Sequence, residues 1–310
     1  MVITLHKPVL SAEVMTGLAI IPGGYYMDCT FGRGGHSALI LEKLGPEGRL
    51  LAIDLDPSAM AAAKTQPFAN DPRFIFKTAS FGDLTALVNE QGWMGKVSGI
   101  LLDLGVSSPQ LDDPLRGFSF RQEGPLDMRM DPQRGMSAAE WINQAEESEI
   151  AKVLRDYGEE NFSRRIARAI VAQRKANPIT TTTQLSKLIA NAVPFHEPNK
   201  HPATRSFQAI RIFINEELDV LESCLAQCLP VLKVGGRLAV ISFHSLEDRI
   251  VKHFMQQHAR SHLLDKLPLR EHQIVRRLRL INRLIRPTVV EIDRNPRARS
   301  ARLRIAEKLA

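Results

Sequence analysis

Along the first hundred residues, short apolar runs alternate with helix-spaced patterns, which predicts a parallel α/β sheet. Tyr25–Cys29 reads as the first strand and Ser37–Leu44 as the helix that follows. Leu50–Ile53 is the second strand, with Asp56 at an N-cap position and Pro57 at the first helical position behind it. Phe74–Phe76 is a shorter third strand. Ile100–Leu104, nearly continuous in apolar residues and stopped by Gly105, reads as a fourth strand buried on both faces.

The pattern then changes. Leu111–Asp131 is rich in Gly, Pro, Asp, Arg and Met without a sustained period and reads as a long ordered loop, a kind of segment that is usually functional or disordered. Helical signals follow in series: a capping box at Ser137 and Glu140, an apolar stripe at Phe162, Ile166 and Ile170, and a second box at Thr181 and Gln184. One long helix is predicted with Phe207, Ile210, Ile214, Leu218, Leu221 and Leu225 on a single face. Strand chemistry returns at Arg237–Phe243 behind a Gly235-Gly236 turn, Ser245 and Asp248 read as caps of a further helix, and the apolar runs near Val289 and Leu303 read as closing strands. The fold class is therefore α/β. A single sheet domain, 1–111 with 213–310, is interrupted by an all-helical insertion, 112–212, and there is no internal repeat.

A chain of 310 residues is long enough for about two domains. No apolar run approaches the roughly 18 residues of a membrane span, so no membrane partner is expected. Glu13 interrupts the first apolar stretch, which lacks a basic start and a small-residue cleavage site and does not read as a signal peptide. Three cysteines, an odd number with Cys29 far along the chain from Cys224 and Cys228, point to a reducing cytoplasm. Cys224 and Cys228 are one helical turn apart without further ligands nearby, which favours core packing, and no metal is expected.

Charge adds a partner. From Arg276 onward, ten Arg and one Lys stand against three acids, leaving +8 in the tail; the formal charge of the whole chain is +7. Arginine suits bidentate phosphate contacts, and the stretch has no broad apolar face for lipid, so a polyanion is the expected partner.

The chemistry-bearing segments lie where strands end. Asp28 to His36 joins the first strand to the first helix through Gly32, Gly34 and Gly35, glycines that allow a tight turn and close approach of backbone to ligand. Twenty residues beyond Gly34, Asp54 closes the second strand, where an acid can accept from both hydroxyls of a ribose. A dinucleotide site would show G-x-G-x-x-G; this loop reads G-x-G-G-H and is preceded by an acid, which repels phosphate and suits a cation. S-adenosylmethionine, with a sulfonium and an ammonium and no phosphate, fits better than a nicotinamide dinucleotide. Asp28 could equally be a solvated carboxylate. The fourth strand ends at Asp103, with Gln110 shortly after, at a position where α/β sheets gather reacting groups. Asp103 is either a reacting group or a brace for its own loop, and His244, just past the fifth strand, is either its neighbour in chemistry or structural.

Taken together, these residues resemble the ribosomal RNA small-subunit methyltransferase H family. The resemblance is carried by His6–Leu10, Asp28–His36, Asp103–Asp112, Arg116–Phe120, Gly124–Met130, Tyr157–Glu160, His201–Ala209, Ile241–Arg249 and Asn295–Ser300, in order across nearly the whole chain. Only 256–290 matches no motif. The resemblance implies a Rossmann-like S-adenosylmethionine-dependent methyltransferase sheet and transfer of a methyl group to the N4 amine of a cytidine in the decoding region of 16S rRNA. It implies a cofactor site lined by Gly34, Gly35, His36, Asp54, Phe81, Asp103 and Gln110. Phe81 would cover the adenine or be a core residue. It also implies that the helical insertion meets RNA of the small ribosomal subunit.

Asp103, and His244 beside it, are the expected catalytic residues. Expected RNA contacts are Arg116, Phe118, Phe120, Arg164, Arg168 and Arg205. Phe118 and Phe120 could stack on an exposed base or pin their loop; Arg164, Arg168 and Lys175 share a helix face opposite Ile166 and Ile170. Whether the chain forms a homodimer is left open. Two other classes stand against this reading: a nicotinamide oxidoreductase, which needs the missing dinucleotide spacing, and a non-catalytic RNA-binding protein, which has no need of acids at successive strand ends.

Overall fold

The computed structural model describes residues 8–195, 201–259 and 276–310. His6 and Lys7 of the first motif, and 260–275 of the motif-free basic stretch, lie outside the described residues. The chain divides into two compact units: 1–105 with 218–310, and 106–217. From sequence the insertion was expected to span 112–212.

The first unit is built on a seven-stranded sheet: β1 (Tyr25–Asp28), β2 (Arg49–Asp54), β3 (Phe74–Thr78), β4 (Val97–Asp103), β5 (Leu232–Ser242), β6 (Leu278–Leu280) and β7 (Arg302–Lys308). Their order is β3-β2-β1-β4-β5-β7-β6; the first five pair in parallel, and β7 runs antiparallel to both β5 and β6. The chain therefore winds outward from β1 in one direction and from β4 in the other. Their carboxyl ends form the switch point where open α/β sheets bind ligands.

Alternation along the strands divides the core. Met27, Ile100 and Leu102 face Leu84, Val88, Leu221, Leu225 and Val251 on one side, whereas Tyr26, Leu101 and Ile241 face Val14, Leu18 and Ile40 on the other. Helices Leu84–Glu90, Glu217–Val231 and Ser245–Ala259 supply the first layer; Ser11–Leu18 and Gly35–Lys43 supply the second. Each fully buried Leu or Ile contributes roughly 1.5–3 kcal/mol relative to exposure. Six consecutive buried residues at Val97–Leu102 thus fix β4, and its end, firmly in the sheet.

Several local expectations are corrected. Gly235-Gly236 is not a turn ahead of β5 but lies inside it. Two steps on β4, Val97 to Gly99, match five on β5, Leu232 to Arg237, so the strand bulges there, with Gly235 at a φ of 77°. The run at Val289 is a short helix, Val289–Arg294, because Thr288 caps it by accepting from the Glu291 N–H, and the three-residue β6 is a strand that no apolar run in the sequence predicts. Glu247 accepts from the Phe243 and His244 N–H groups ahead of helix Ser245–Ala259. Asp248, expected as a cap, instead takes Arg302 and Arg304.

The second unit is helical, with Ala138–Gln144, Glu147–Gly158, Ser163–Ala176, Thr182–Ala192 and Thr204–Ile214 packed around Trp141, Ile150, Leu154, Ile166, Ile170, Leu185 and Phe207. Both expected capping boxes form. The single long helix does not: it breaks at Asn215-Glu216, where Glu216 has a φ of 50°. Asn215 leaves the helix to bind the preceding loop, accepting from the Met130 N–H at 2.7 Å and donating to the Met128 carbonyl at 2.8 Å. The loop at 111–131 is ordered by such stitches. Gly117 sits at a φ of 73°, and a Cβ on it would meet the Pro125 carbonyl at 2.4 Å, so no other residue fits that turn.

Candidate active site

The last residues of β1, β2 and β4, three adjacent strands, are Asp28, Asp54 and Asp103. Each strand delivers a carboxylate to the same edge of the sheet, and the Phe31–Gly35 turn rises between them. Gly34 adopts a φ of 75° as the N-cap of helix Gly35–Lys43; a Cβ there would meet the Phe31 ring at 2.7 Å. A Cβ on Gly35 would press the Pro8 ring at 3.2 Å. The loop is close-packed from behind and presents backbone, not side chain, to the helix start.

The three acids differ in their surroundings. Asp28 is fully buried, so it is not the solvated carboxylate that the sequence allowed. Its Oδ2 accepts from the Ser37 hydroxyl at 2.7 Å and its Oδ1 from the Thr30 N–H at 3.2 Å. Burial pushes its carboxyl up, and the Ser37 bond counters only part of this. Asp54 accepts from the Gly32 N–H at 2.7 Å and the Asp56 N–H at 2.9 Å, so it clamps the glycine loop to the turn after β2. Burial lifts it to about 6 despite these two bonds. Asp56 caps the next helix, as expected, by accepting from the Ser58 N–H at 2.8 Å.

Asp103 is about a quarter exposed, and its backbone N–H donates to the Thr30 hydroxyl at 2.7 Å, which joins the ends of β1 and β4. Its Oδ2 lies 3.6 Å from Nε2 of the buried His36, and its Oδ1 has no hydrogen-bond partner among the described residues. Thr30 and Ser37 were not singled out from sequence. The one available signal was that they are hydroxyl residues beside Asp28 and in the first turn of the helix that faces it.

Phe81 follows β3 in a short helical turn, Phe81–Asp83, half-buried against the core. It is therefore at the right edge of the sheet to cover a flat ring while resting on core residues. His244 is taken up by its own helix start: Nδ1 accepts from the Glu247 N–H at 3.4 Å, and Nε2 is 3.1 Å from Glu247 Oε1. Cys29 joins Cys224 and Cys228 in one buried cluster, so the three cysteines, distant in sequence, are neighbours in the core.

In the helical unit, Gln110 is buried, and its Oε1 accepts from the Ser107 N–H at 2.8 Å in a capping box. Arg116 donates to the Arg129 and Met130 carbonyls and lies 5.6 Å over the Phe118 ring, which is itself in the core. Phe120 packs on His201 and Phe207 with ring centroids 4.5 and 4.8 Å away. These two rings thus pin the loop. Arg205 donates to the Glu159 carbonyl at 2.8 Å, at the end of helix Glu147–Gly158, where Glu159 has a φ of 50°. Arg164, Arg168 and Lys175 are exposed on one helix, with Arg168 3.9 Å from Glu147.

What the first unit can hold follows from charge. A carboxylate edge around a glycine turn disfavours a phosphate and favours a ligand with cationic groups and hydroxyls to donate. Among the described residues, no helix is long and apolar enough to cross a membrane.

Comparison with known proteins agrees in kind. A protein of Coxiella burnetii (strain RSA 331 / Henzerling II) named ribosomal RNA small subunit methyltransferase H is 59% identical over 305 residues, covering 98% of this chain and 99% of that one. Another of that name, from Thioalkalivibrio sulfidiphilus (strain HL-EbGR7), is 56% identical over 307 residues and 98% of each chain. The model of the MraW methylase family matches residues 3–309, nearly the full length, and the chain belongs to that family.

Proposed function

We propose that the chain transfers a methyl group from S-adenosylmethionine to the N4 amine of a cytidine in the decoding region of 16S rRNA. The observation that carries the reading is the set of three carboxylates at the ends of β1, β2 and β4 around a glycine turn. The fit to this cofactor is good on the chain's own chemistry. Asp54 can accept from two ribose hydroxyls while keeping its backbone bonds, Phe81 can cover the adenine, and Asp103 retains a buried oxygen without a partner among the described residues. A pyrophosphate in the same place would face Asp28, Asp54 and Asp103, which argues against a nicotinamide dinucleotide. When bound, the cofactor supplies an electrophilic methyl group on a sulfonium.

The residues of this chain position and stabilise. The N4 amine of cytosine is a weak nucleophile because its lone pair is delocalised into the ring. As it attacks, positive charge moves from sulfur to nitrogen. A carboxylate equidistant from both atoms would stabilise ground and transition states alike and would not raise the rate. Asp103 accelerates the reaction if its free Oδ1 accepts a hydrogen from the amine, so that attraction grows as the nitrogen becomes cationic. Orientation contributes up to about 7–11 kcal/mol, more than the roughly 10²–10⁴-fold of a general base, so holding the base against the methyl group is the larger effect. A stacked or paired cytosine must first be extruded.

Contact with rRNA is assigned to exposed cations: Arg164, Arg168 and Lys175 in the helical unit, and Arg276, Arg277, Arg279 and Arg283 in the tail. Arg302 and Arg304 are removed from that set because they are largely covered and hold Asp248, whereas Arg279 stays in it because it remains well exposed while paired with Glu307. Mass spectrometry of 16S rRNA from cells with and without the protein tests the reading. One N4-methylcytidine should disappear with the protein and return with the wild-type chain. An unchanged modification pattern would overturn it.

A further inference from the structure

His36 is about 5% exposed, and neither ring nitrogen has a hydrogen-bond partner among the described residues. A buried imidazole without partners is costly unless it answers a charge. Two charges face it: Asp28 from the end of β1 and Asp103 from the end of β4, whose Oδ2 is 3.6 Å from Nε2. The backbone of Val9, from the segment ahead of the first helix, also favours the charged ring. On its own helix the neighbour is Ser37, whose hydroxyl is donated to Asp28. The Asp28 oxygens already have donors, so Asp103 is the carboxylate left to pair with the ring.

We propose that His36 is a positioning residue for Asp103: as an imidazolium it holds Oδ2 and leaves Oδ1 as the acceptor presented to the ligand. Burial alone would strip the proton from His36, but Asp103 and Asp28 outweigh it and raise the imidazole above its ordinary 6.5. The contact of 3.6 Å is that of an ion pair, longer than a hydrogen bond; catalytic contacts of this kind tighten when ligands bind. The charged ring also favours the ionised form of Asp28, offsetting part of the burial that pushes that carboxyl up. The role rests on the reading of Asp103 as the acceptor for the substrate amine; the location of the proton does not.

The test separates the two. The full chain, labelled with ¹⁵N-histidine, is titrated by NMR from pH 5 to 9, and the His36 signal is assigned by its loss in His36→Gln. His36 should titrate above 6.5 in the wild type and move down by about one unit or more in Asp103→Asn, the size expected when a neighbouring carboxylate is neutralised. A ring that is neutral throughout in the wild type, or that titrates identically in Asp103→Asn, would overturn the proposal.

Single-turnover methyl transfer gives a second readout. A raised histidine holds its proton at low pH and loses it as pH rises through the folded value. The wild-type rate should therefore fall on the alkaline side. His36→Gln should lack that fall and be slower by up to about 10²-fold at neutral pH, the scale of a small misplacement of a reacting group. A merely space-filling histidine would leave the alkaline limb in place, and that result counts against the proposal. Wild-type turnover in Asp103→Asn would instead remove the catalytic reading of Asp103, while the NMR titration still decides where the proton resides.

Discussion

Replacing Asp54 with asparagine tests the cofactor site where its geometry is most explicit. Asp54→Ala is a poor probe, because it strands the Gly32 and Asp56 N–H groups that the carboxylate now satisfies. The asparagine keeps the shape and one carbonyl oxygen. Its amide hydrogens must face one of those two donors, so a loss of about 1–3 kcal/mol in stability is expected from an unpaired buried donor. Binding should suffer separately. Two ribose hydroxyls on a carboxylate are worth about 1.5–3 kcal/mol each, and an amide oxygen recovers about 1 kcal/mol. The net loss is about 2–5 kcal/mol, or between roughly 30-fold and several thousand-fold in affinity.

The pH dependence sharpens the test. Burial raises Asp54 to about 6, so only below that pH does the folded protein without ligand hold this carboxyl mainly protonated. Between about 4, where the unfolded chain ionises, and about 6, this group makes the fold less stable as pH rises. Ligand binding has the opposite sign, because accepting from two hydroxyls requires the carboxylate. Affinity for S-adenosylmethionine should fall about tenfold per unit as pH drops below 6, and Asp54→Asn should abolish that component. Isothermal calorimetry from pH 5 to 8 measures both. Asp56→Ala is the control: it loses the Ser58 cap, about 1 kcal/mol of stability, and should bind normally. Near-wild-type affinity in Asp54→Asn, or an undiminished pH dependence, would refute the assignment.

Asp103→Asn should lower single-turnover methyl transfer at saturating cofactor by about 10²-fold or more while weakening cofactor binding far less; a wild-type rate would exclude Asp103 from the chemistry. Replacing Arg276, Arg277, Arg279 and Arg283 together with alanine should flatten the log–log salt dependence of RNA binding by up to about 3, near 0.7 per single-strand phosphate contact. An unchanged slope in filter binding would leave those arginines without a role in RNA binding. Asp248→Ala should cost about 1.5–3 kcal/mol in urea unfolding, because it leaves the partly exposed Arg302 and Arg304 without their shared carboxylate. Burial would raise Asp248, but the two arginines outweigh it and hold it low, so the wild-type advantage should persist above pH 4 and vanish as pH falls through the depressed value.

Much of the fold is legible in the chain because sheet burial and helix caps are local signals. Strands β1 to β5 announce themselves by apolar runs, and Asp56, Ser137 and Thr181 act as the caps that their spacing implies. The failures share a physical cause. The helix through Phe207–Leu225 has an unbroken apolar face, and nothing within it reveals that Asn215 serves the Met128 and Met130 backbone more than eighty residues away. Val289 and Val290 look like strand residues, yet the Thr288 cap prevails because both side chains remain exposed and gain little from a sheet. Arg302 and Arg304 read as part of a polyanion-binding tail, but both are engaged by Asp248, on a helix distant in sequence.

The candidate site divides along the same line. That acids stand at three strand ends can be read from the chain; how they differ cannot, because their partners come from other segments. Asp28 accepts from Ser37 and Thr30, and Asp54 from the backbone of Gly32 and Asp56, so each is bound into the loop. Among the described residues the Asp103 carboxylate has a contact of 3.6 Å to His36 at Oδ2 and no hydrogen-bond partner at Oδ1. Internal donors offset part of the cost of burying the first two carboxylates. The remaining demand for a positive or hydrogen-donating group is therefore concentrated on Asp103. A ligand that becomes more cationic at that point during reaction is stabilised more in the transition state than in the ground state, which is the condition for a rate enhancement rather than for tighter binding alone.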